Sequence, residues 1–231
     1  MEVAKNISEG FARNVISASF EGTTIETSTP LTTDGSLILY TWNDAEGKKA
    51  FWHSTSHVMA QVLEEMFPGI QLTLGPAIAN GFYYDVDFGD QKITEADFKA
   101  IESRILEISK EKHEFKMRAV TKAEALETYK DNVYKTELIS NLEDGTITFC
   151  DHATFTDLCR GGHIPNTSII KAVKIMSVAG AYWRGDEKNK QLTRVYGTSF
   201  PKQKDLTEYP ELLEEAKRRD HRKLGKELEL I

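Results

Sequence analysis

Phe51-Trp52-His53-Ser54-Thr55-Ser56-His57-Val58-Met59-Ala60-Gln61-Val62-Leu63-Glu64-Glu65-Met66-Phe67 is followed at once by Pro68-Gly69. The Pro-Gly pair stops the run, and the stretch reads as one helix. Residues four apart on a helix share a face, so His53 and His57 point the same way and can act on one object. Far downstream stands a second spaced pair, Cys159-Arg160-Gly161-Gly162-His163. Its two glycines predict a tight irregular loop whose backbone approaches a ligand closely and returns Cys159 and His163 to one point.

On the amino-terminal side, Asn43-Asp44-Ala45-Glu46-Gly47 is a candidate boundary. Before it, Val3 to Phe11 reads as a helix, followed by strand-like runs at Val15 to Phe20, Thr23 to Glu26 and Ser36 to Trp42. Glu21-Gly22 and Asp34-Gly35 supply turns between them. This is little sheet for a stable domain, and residues 1 to 43 read as a truncated module. On the other side, Leu72 to Pro76 and Gly81 to Phe88 follow as extended segments. Thr94, with Asp97 three residues on, opens a long helix to about Lys112, because Phe98, Ile101, Ile105 and Ile108 recur at helical spacing. A helix over Lys122 to Tyr129, strands over Thr146 to Cys150 and Ile170 to Ala179, and a turn at Tyr182 to Asp186 complete the unit. Helices and strands do not alternate regularly, so the expected class is α+β, with a largely antiparallel sheet and helices on one side. From Leu206 onward one charged helix is expected, a strut rather than core.

The chain has 231 residues, 40% of them hydrophobic, enough for one main domain with a smaller neighbour. Its two cysteines, Cys150 and Cys159, do not suggest a secreted disulfide scaffold and fit a reducing cytoplasm. No apolar run approaches a membrane span and no signal-peptide order opens the chain, so a cytoplasmic location without membrane contact is expected. A net charge of -7 argues against holding nucleic acid by bulk electrostatics. The basic run from Lys217 to Lys226, after Glu211, Glu214 and Glu215, suits a helix macrodipole as well as a nucleic-acid contact.

Three readings compete for His53, His57, Cys159 and His163. The two pairs need not meet at all. If they do, three histidines and a thiolate are acceptable tetrahedral ligands for zinc. They equally suit a metal-free hydrolytic pocket in which a histidine titrating near neutrality positions or deprotonates a water. Spacing does not separate the last two.

The two pairs, with Gly75-Pro76, Asn80-Gly81-Phe82-Tyr83-Tyr84-Asp85, Gly180-Ala181-Tyr182-Trp183-Arg184-Gly185-Asp186, Tyr196-Gly197-Thr198 and Lys217 to Gly225, resemble the amino-terminal half of bacterial threonyl-tRNA synthetases. The resemblance covers essentially the whole chain. It implies that residues 1–43 are the back part of a β-grasp-like TGS module, residues 44–204 an editing domain, and residues 205–231 a linker helix toward a class II catalytic core. That core, with its ATP, threonine and zinc sites and the contacts of a homodimer, is expected outside this sequence, so aminoacylation is not expected of this piece alone.

The reaction implied for the editing domain is hydrolysis of the ester in mischarged seryl-tRNA(Thr). By resemblance, His53 and His57 sit beside the terminal ribose and seryl group, and His53 accepts a proton from water or holds the ribose hydroxyl. Lys135 matches the family's catalytic lysine, which orients water or stabilises negative charge; spacing alone would leave it a solvated surface lysine. Cys159 and His163 complete the catalytic group. Asp157 matches an acidic pocket residue for the seryl amino group or hydroxyl, and otherwise reads as a loop or cap aspartate. Tyr84 matches a pocket tyrosine near the terminal adenosine, and otherwise a core aromatic. The family loop commonly carries proline where this chain has Gly162, which implies a more mobile loop. Related alanyl-type domains hold zinc on the same ligand pattern, whereas threonyl-type domains resemble a metal-free pocket, so no cofactor is expected for editing. The expected partners are the acceptor end of tRNA(Thr) and seryl-tRNA, bound weakly and salt-sensitively by so acidic a piece. The alternative is a non-catalytic module that holds zinc or docks the tRNA acceptor end.

Overall fold

A computed structural model describes residues 1–218, with side chains placed as far as residue 210. In chain order the elements are α1 (Glu2–Ile7), α2 (Glu9–Ala12), β1 (Ser17–Phe20), β2 (Thr23–Ile25), β3 (Leu37–Tyr40), α3 (Ala45–Met66), β4 (Gln71–Leu72), β5 (Ala77–Ile78) and β6 (Gly81–Asp87). They continue with α4 (Glu95–Lys110), β7 (Lys116–Ala119), α5 (Lys122–Thr128), α6 (Val133–Ser140), β8 (Thr148–His152), β9 (Phe155–Leu158), β10 (Ala172–Tyr182), β11 (Gln191–Phe200) and α7 (Gln203–Arg218). Among the described residues three antiparallel sheets form, in the orders β2-β1-β3, β10-β11-β6-β4 with β5 also on β6, and β7-β8-β9. The α+β class with antiparallel sheets is therefore present.

The helix around the two histidines is longer than its apolar run. It starts at Ala45, and Asp44, read from sequence as part of a boundary, precedes it with Oδ2 accepting from the Thr41 N–H and hydroxyl at 2.7 and 2.9 Å. Gly47 sits so close to the preceding turn that a Cβ there would lie 1.9 Å from the Thr41 carbonyl oxygen. The candidate linker is thus the first turn of α3. From Ala50 to Leu63 every residue except His53 is buried, so α3 is a central helix and not a surface one. Ser54 and Thr55 lose no hydrogen bonding there, because their hydroxyls donate back to the Ala50 and Phe51 carbonyls. Trp52 and Thr55 tie the helix to Ser199 on β11.

The expected cap of α4 is present, with the Thr94 N–H and hydroxyl both donating to Asp97 Oδ2 at 2.7 and 2.9 Å. Phe98, Ile101, Ile105 and Ile108 are its buried stripe, packed in one cluster with Val58 and Leu63 of α3 and Phe82, Val86, Ile175 and Val195 of the largest sheet. Ile16 belongs to the same cluster, and Trp42 packs edge-on against Phe51, Trp52 and Phe200. Residues 1–43 therefore share a core with α3, α4 and the largest sheet, beyond their own small cluster of Ala4, Ala12 and Val15. The helix expected over Val3 to Phe11 is broken in two at Ser8, which is extended and accepts the Phe11 N–H on its side chain.

Among the described residues five elements carried no readable signal: β5, β7, β9, α6 and β11. The charged carboxy-terminal helix begins at Gln203, where Tyr209 packs near Phe200. Of the basic run from Lys217 to Lys226, the part from Arg219 onward lies outside the described residues, as does the rest of the expected linker helix. Among the described residues no helix is long and apolar enough to cross a membrane. Replacing Gly47 by Ala should lower stability by about 1–3 kcal/mol, because an overpacked backbone contact must shift to admit the methyl. Urea unfolding of the two proteins measures this, and equal midpoints would refute the close approach.

Candidate functional site

All seven residues singled out in the sequence converge on one buried cluster. Helix α3 delivers His53 and His57 on one face, with ring centroids 4.6 Å apart. The Cys159 loop crosses beneath them, placing Cys159 Sγ 3.1 Å from His53 Nε2 and 3.4 Å from His163 Nε2. His57 Nε2 lies 3.4 Å from His53 Nε2. One ligand atom from each of the four lies within 4.8 Å of all the others. The reading in which the pairs never meet is excluded.

The loop closes because Gly161 and Gly162 both take positive φ, 94° and 90°. Proline is confined near -65°, so the Gly162 conformation is closed to it. The Gly162 N–H also donates to Glu26 Oε1 at 2.8 Å, which anchors the loop to the segment after β2. Glycine here serves a particular fastened shape, in place of the loosening its sequence suggested. Ile164 N–H then donates to Ser54 on α3 at 2.9 Å.

Lys135 comes from α6. Asn132 caps this helix, accepting the Tyr134 and Lys135 N–H groups, and its amide donates to the Leu72 carbonyl of β4. Tyr134 donates to Asp87 at 2.6 Å, fastening the helix to β6. Lys135 is only 1% exposed, not a solvated surface lysine. Its Nζ forms an ion pair with Asp157 Oδ1 and lies 4.8 Å from the Tyr129 ring centroid. Asp157 is a buried strand residue on β9, neither loop nor cap. Its Oδ2 accepts the Tyr84 hydroxyl at 2.7 Å. Oδ2 is also 3.0 Å from His57 Nδ1, an ionic contact too far out of line for a hydrogen bond. Tyr84, 1% exposed on β6, is a core aromatic with its polar end on Asp157, so neither ring face is open to a base here. Gly75 packs against that ring, where a Cβ would fall 2.2 Å from Tyr84 Cδ2.

The charges follow from these contacts. Burial alone would raise the Asp157 pKa, but the Lys135 ammonium and His57 hold it far below the carboxylate range. Burial likewise opposes ionisation of Cys159, yet the charge on His57 and hydrogen bonds with His163 and His53 bring its pKa well below that of a free thiol. His57 is raised despite burial, because Cys159 and Asp157 face it. His53 moves the other way: burial lowers it, and the positive charge of His57 adds to this against the pull of Cys159. The shifts favour the neutral form of His53, the most exposed of the three histidines, and the charged forms of His57, His163, Cys159 and Asp157.

Three neighbours had no motif to reveal them. Glu26 reaches His163, Cys150 Sγ lies 3.7 Å from His163 Nδ1, and His152 packs 5.0 Å from the Phe115 ring with neither nitrogen hydrogen-bonded. Only their contacts in the folded chain single them out.

Comparison with known sequences bears on this geometry. The family described as "Threonyl and Alanyl tRNA synthetase second additional domain" matches residues 147–196, the stretch that holds Asp157, Cys159 and His163. The whole chain is 91% identical to the threonine–tRNA ligase of Flavobacterium johnsoniae, over 36% of that protein's length. This chain is homologous throughout to threonine–tRNA ligases. The corresponding proteins of Flavobacterium psychrophilum and Parabacteroides distasonis are 87% and 57% identical, again with all of this chain covering 36% of each. The chain thus spans about a third of the length of the curated threonine–tRNA ligases it matches.

Burial pushes the His152 pKa down to about 3, helped by the charges of His57 and His163. A histidine whose folded pKa lies below its unfolded value of about 6.5 stabilises the fold fully above that value and loses the contribution as pH falls toward 3. His152→Phe, filling the space between Phe115 and Phe155, should flatten the acid side of the stability curve by up to about 1.4 kcal/mol per pH unit between pH 6 and 4. Denaturant midpoints at several pH values test this; parallel curves for the two proteins would contradict it.

Proposed function

We propose that this chain is the amino-terminal part of a threonyl-tRNA synthetase and that its buried cluster hydrolyses the ester of mischarged seryl-tRNA(Thr). The observation that carries the reading is that His57 joins the Lys135–Asp157 pair to His53 and Cys159, in a chain homologous throughout to threonine–tRNA ligases. On this reading residues 1–43 are a partial TGS module, residues 44–204 the editing domain, and residues 205–231 the connection to a catalytic core that uses ATP and zinc. The partner is the acceptor end of tRNA(Thr), the enzyme works in the cytoplasm, and the whole synthetase pairs through that core.

Energetics supply the need for such a site. Serine lacks one methyl of threonine, a difference worth only about 1–3 kcal/mol in a binding pocket, or roughly ten- to two-hundred-fold. A second pocket that admits serine and excludes the threonine methyl removes the error after it is made. In the proposed mechanism, neutral His53 accepts a proton from the attacking water or holds the ribose hydroxyl. The Lys135 ammonium stabilises the negative charge that develops on the ester oxygen and orients water, within a site where low dielectric strengthens both effects. Asp157 holds Lys135 and, with Tyr84, offers a carboxylate and a phenol to the seryl amino and hydroxyl groups. His57, Cys159 and His163 set the charge balance around His53.

A second reading rests on the quartet itself. Three imidazoles and a thiolate gathered within 4.8 Å form a donor set that fits zinc in kind and number. Such an ion would replace the proton network among the four side chains, leaving a metal-holding or acceptor-docking module. Protein purified without chelator should carry well under one equivalent of zinc by atomic emission, and one tightly held equivalent favours the second reading.

The decisive assay incubates the chain with seryl-tRNA(Thr) and threonyl-tRNA(Thr). Selective loss of the seryl ester is expected, with His53→Ala and Lys135→Ala each slowing it by about 10²-fold or more. Cleavage of neither ester above the buffer rate, at high protein concentration and low salt, would remove the hydrolase assignment.

A further inference from the structure

Glu26 stands far from the editing cluster in sequence and belongs to the amino-terminal module, on the residue after β2. Its carboxylate nevertheless meets the Cys159–His163 loop at three places. Oε1 accepts the Gly162 N–H at 2.8 Å and the His163 ring Nδ1–H at 3.0 Å. The His163 backbone N–H lies 3.3 and 3.4 Å from the two oxygens. The site is built for close approach: a Cβ on Gly161 would lie 3.1 Å from Glu26 Oε1, and one on Gly162 would lie 3.3 Å from the Thr24 methyl. The His163 ring is wholly buried and stacked at 5.2 Å on Phe115, so its plane is set and only the proton arrangement remains open.

A carboxylate accepts and never donates when ionised, so the contact requires hydrogen on Nδ1. The other ring nitrogen then faces Cys159 Sγ at 3.4 Å. The sulfur is an acceptor too, so Nε2 also carries hydrogen there, and the carboxylate on Nδ1 fixes the direction in which that second N–H points. Cys150 Sγ, at 3.7 Å from the same Nδ1, is the competing partner and the weaker acceptor. We propose that Glu26 is a positioning residue of the editing site, accepting His163 Nδ1–H and thereby directing Nε2 at the Cys159 sulfur beside His53. The amino-terminal module thus contributes a side chain to the site and does more than sit beside it. For its catalytic consequence the inference rests on the hydrolase reading above; for the hydrogen bond it does not.

The test compares the 231-residue chain with Glu26→Gln and Glu26→Ala, using nitrogen-15 NMR of the histidine rings and hydrolysis of seryl-tRNA(Thr). The parent should show a solvent-protected Nδ1–H signal for His163, retained in Glu26→Gln, whose amide oxygen still accepts, and lost in Glu26→Ala. The kcat for hydrolysis should fall about tenfold in Glu26→Ala with KM within about twofold, and should recover to within about threefold of the parent in Glu26→Gln. Persistence of the Nδ1–H signal in Glu26→Ala overturns the inference, as does an unchanged kcat when the signal is lost. Equal loss of rate in both variants assigns Glu26 a merely structural part and overturns it too. Should the parent cleave nothing, the hydrolase reading fails, while the NMR comparison still decides whether Glu26 orients His163.

Discussion

A lysine and an aspartate buried together govern this molecule. Lys135 and Asp157 are 1% and 2% exposed, and each would cost several kcal/mol to bury as an isolated ion. Together they are tolerable because Asp157 also accepts the Tyr84 hydroxyl, while the Lys135 ammonium lies near the Tyr129 ring. Breaking such a pair typically costs about 3–5 kcal/mol, since one charge is left without a partner. The pair is therefore a geometric constraint as well as a contact. Helix α6 must face β9, β9 must lie near β6 through Tyr84, and α3 must bring His57 within 3.0 Å of the same carboxylate.

The remaining site chemistry is a sequence of alternating charges extending from that pair. His57 faces Asp157 and Cys159, Cys159 faces all three histidines, and His163 faces Glu26. Each group in this chain is stabilised by an oppositely charged or hydrogen-bonding neighbour, which is the only way a cluster this buried remains ionised. His53 is the exception. It is the least buried of the four, and burial lowers its pKa and so favours its neutral form. A preorganised set of fixed charges around one neutral base suits ester hydrolysis, because the environment need not reorganise as charge develops.

How much of this was legible depended on whether a segment's own period carried the information. Helix α4 announced itself through Phe98, Ile101, Ile105 and Ile108 and the Thr94–Asp97 cap. Strand β11, buried nearly along its whole second half, shows no alternation between Gln191 and Phe200, so a period-two search passes it by. Strands β7 and β9 have four residues each, too few for a pattern. Helix α6 is short and owes its position to Asn132, Tyr134 and their partners on β4 and β6. Asp44 to Gly47 carried the composition of a linker, but a helix start uses the same small and acidic residues, and only the packing against Thr41 distinguishes the two.

By itself the sequence determined the pairing of His53 with His57 and of Cys159 with His163, since helical period and a double-glycine loop are local properties. Its resemblance to threonyl-tRNA synthetases also named Lys135, Asp157 and Tyr84, without indicating how they touch. Only the tertiary structure decided that the two pairs meet, that Lys135 is buried against Asp157, and that Glu26 from the opposite end of the chain completes the cluster. The reason is physical: local period dictates where a side chain points along its own element, whereas burial and charge pairing depend on which other elements close over it.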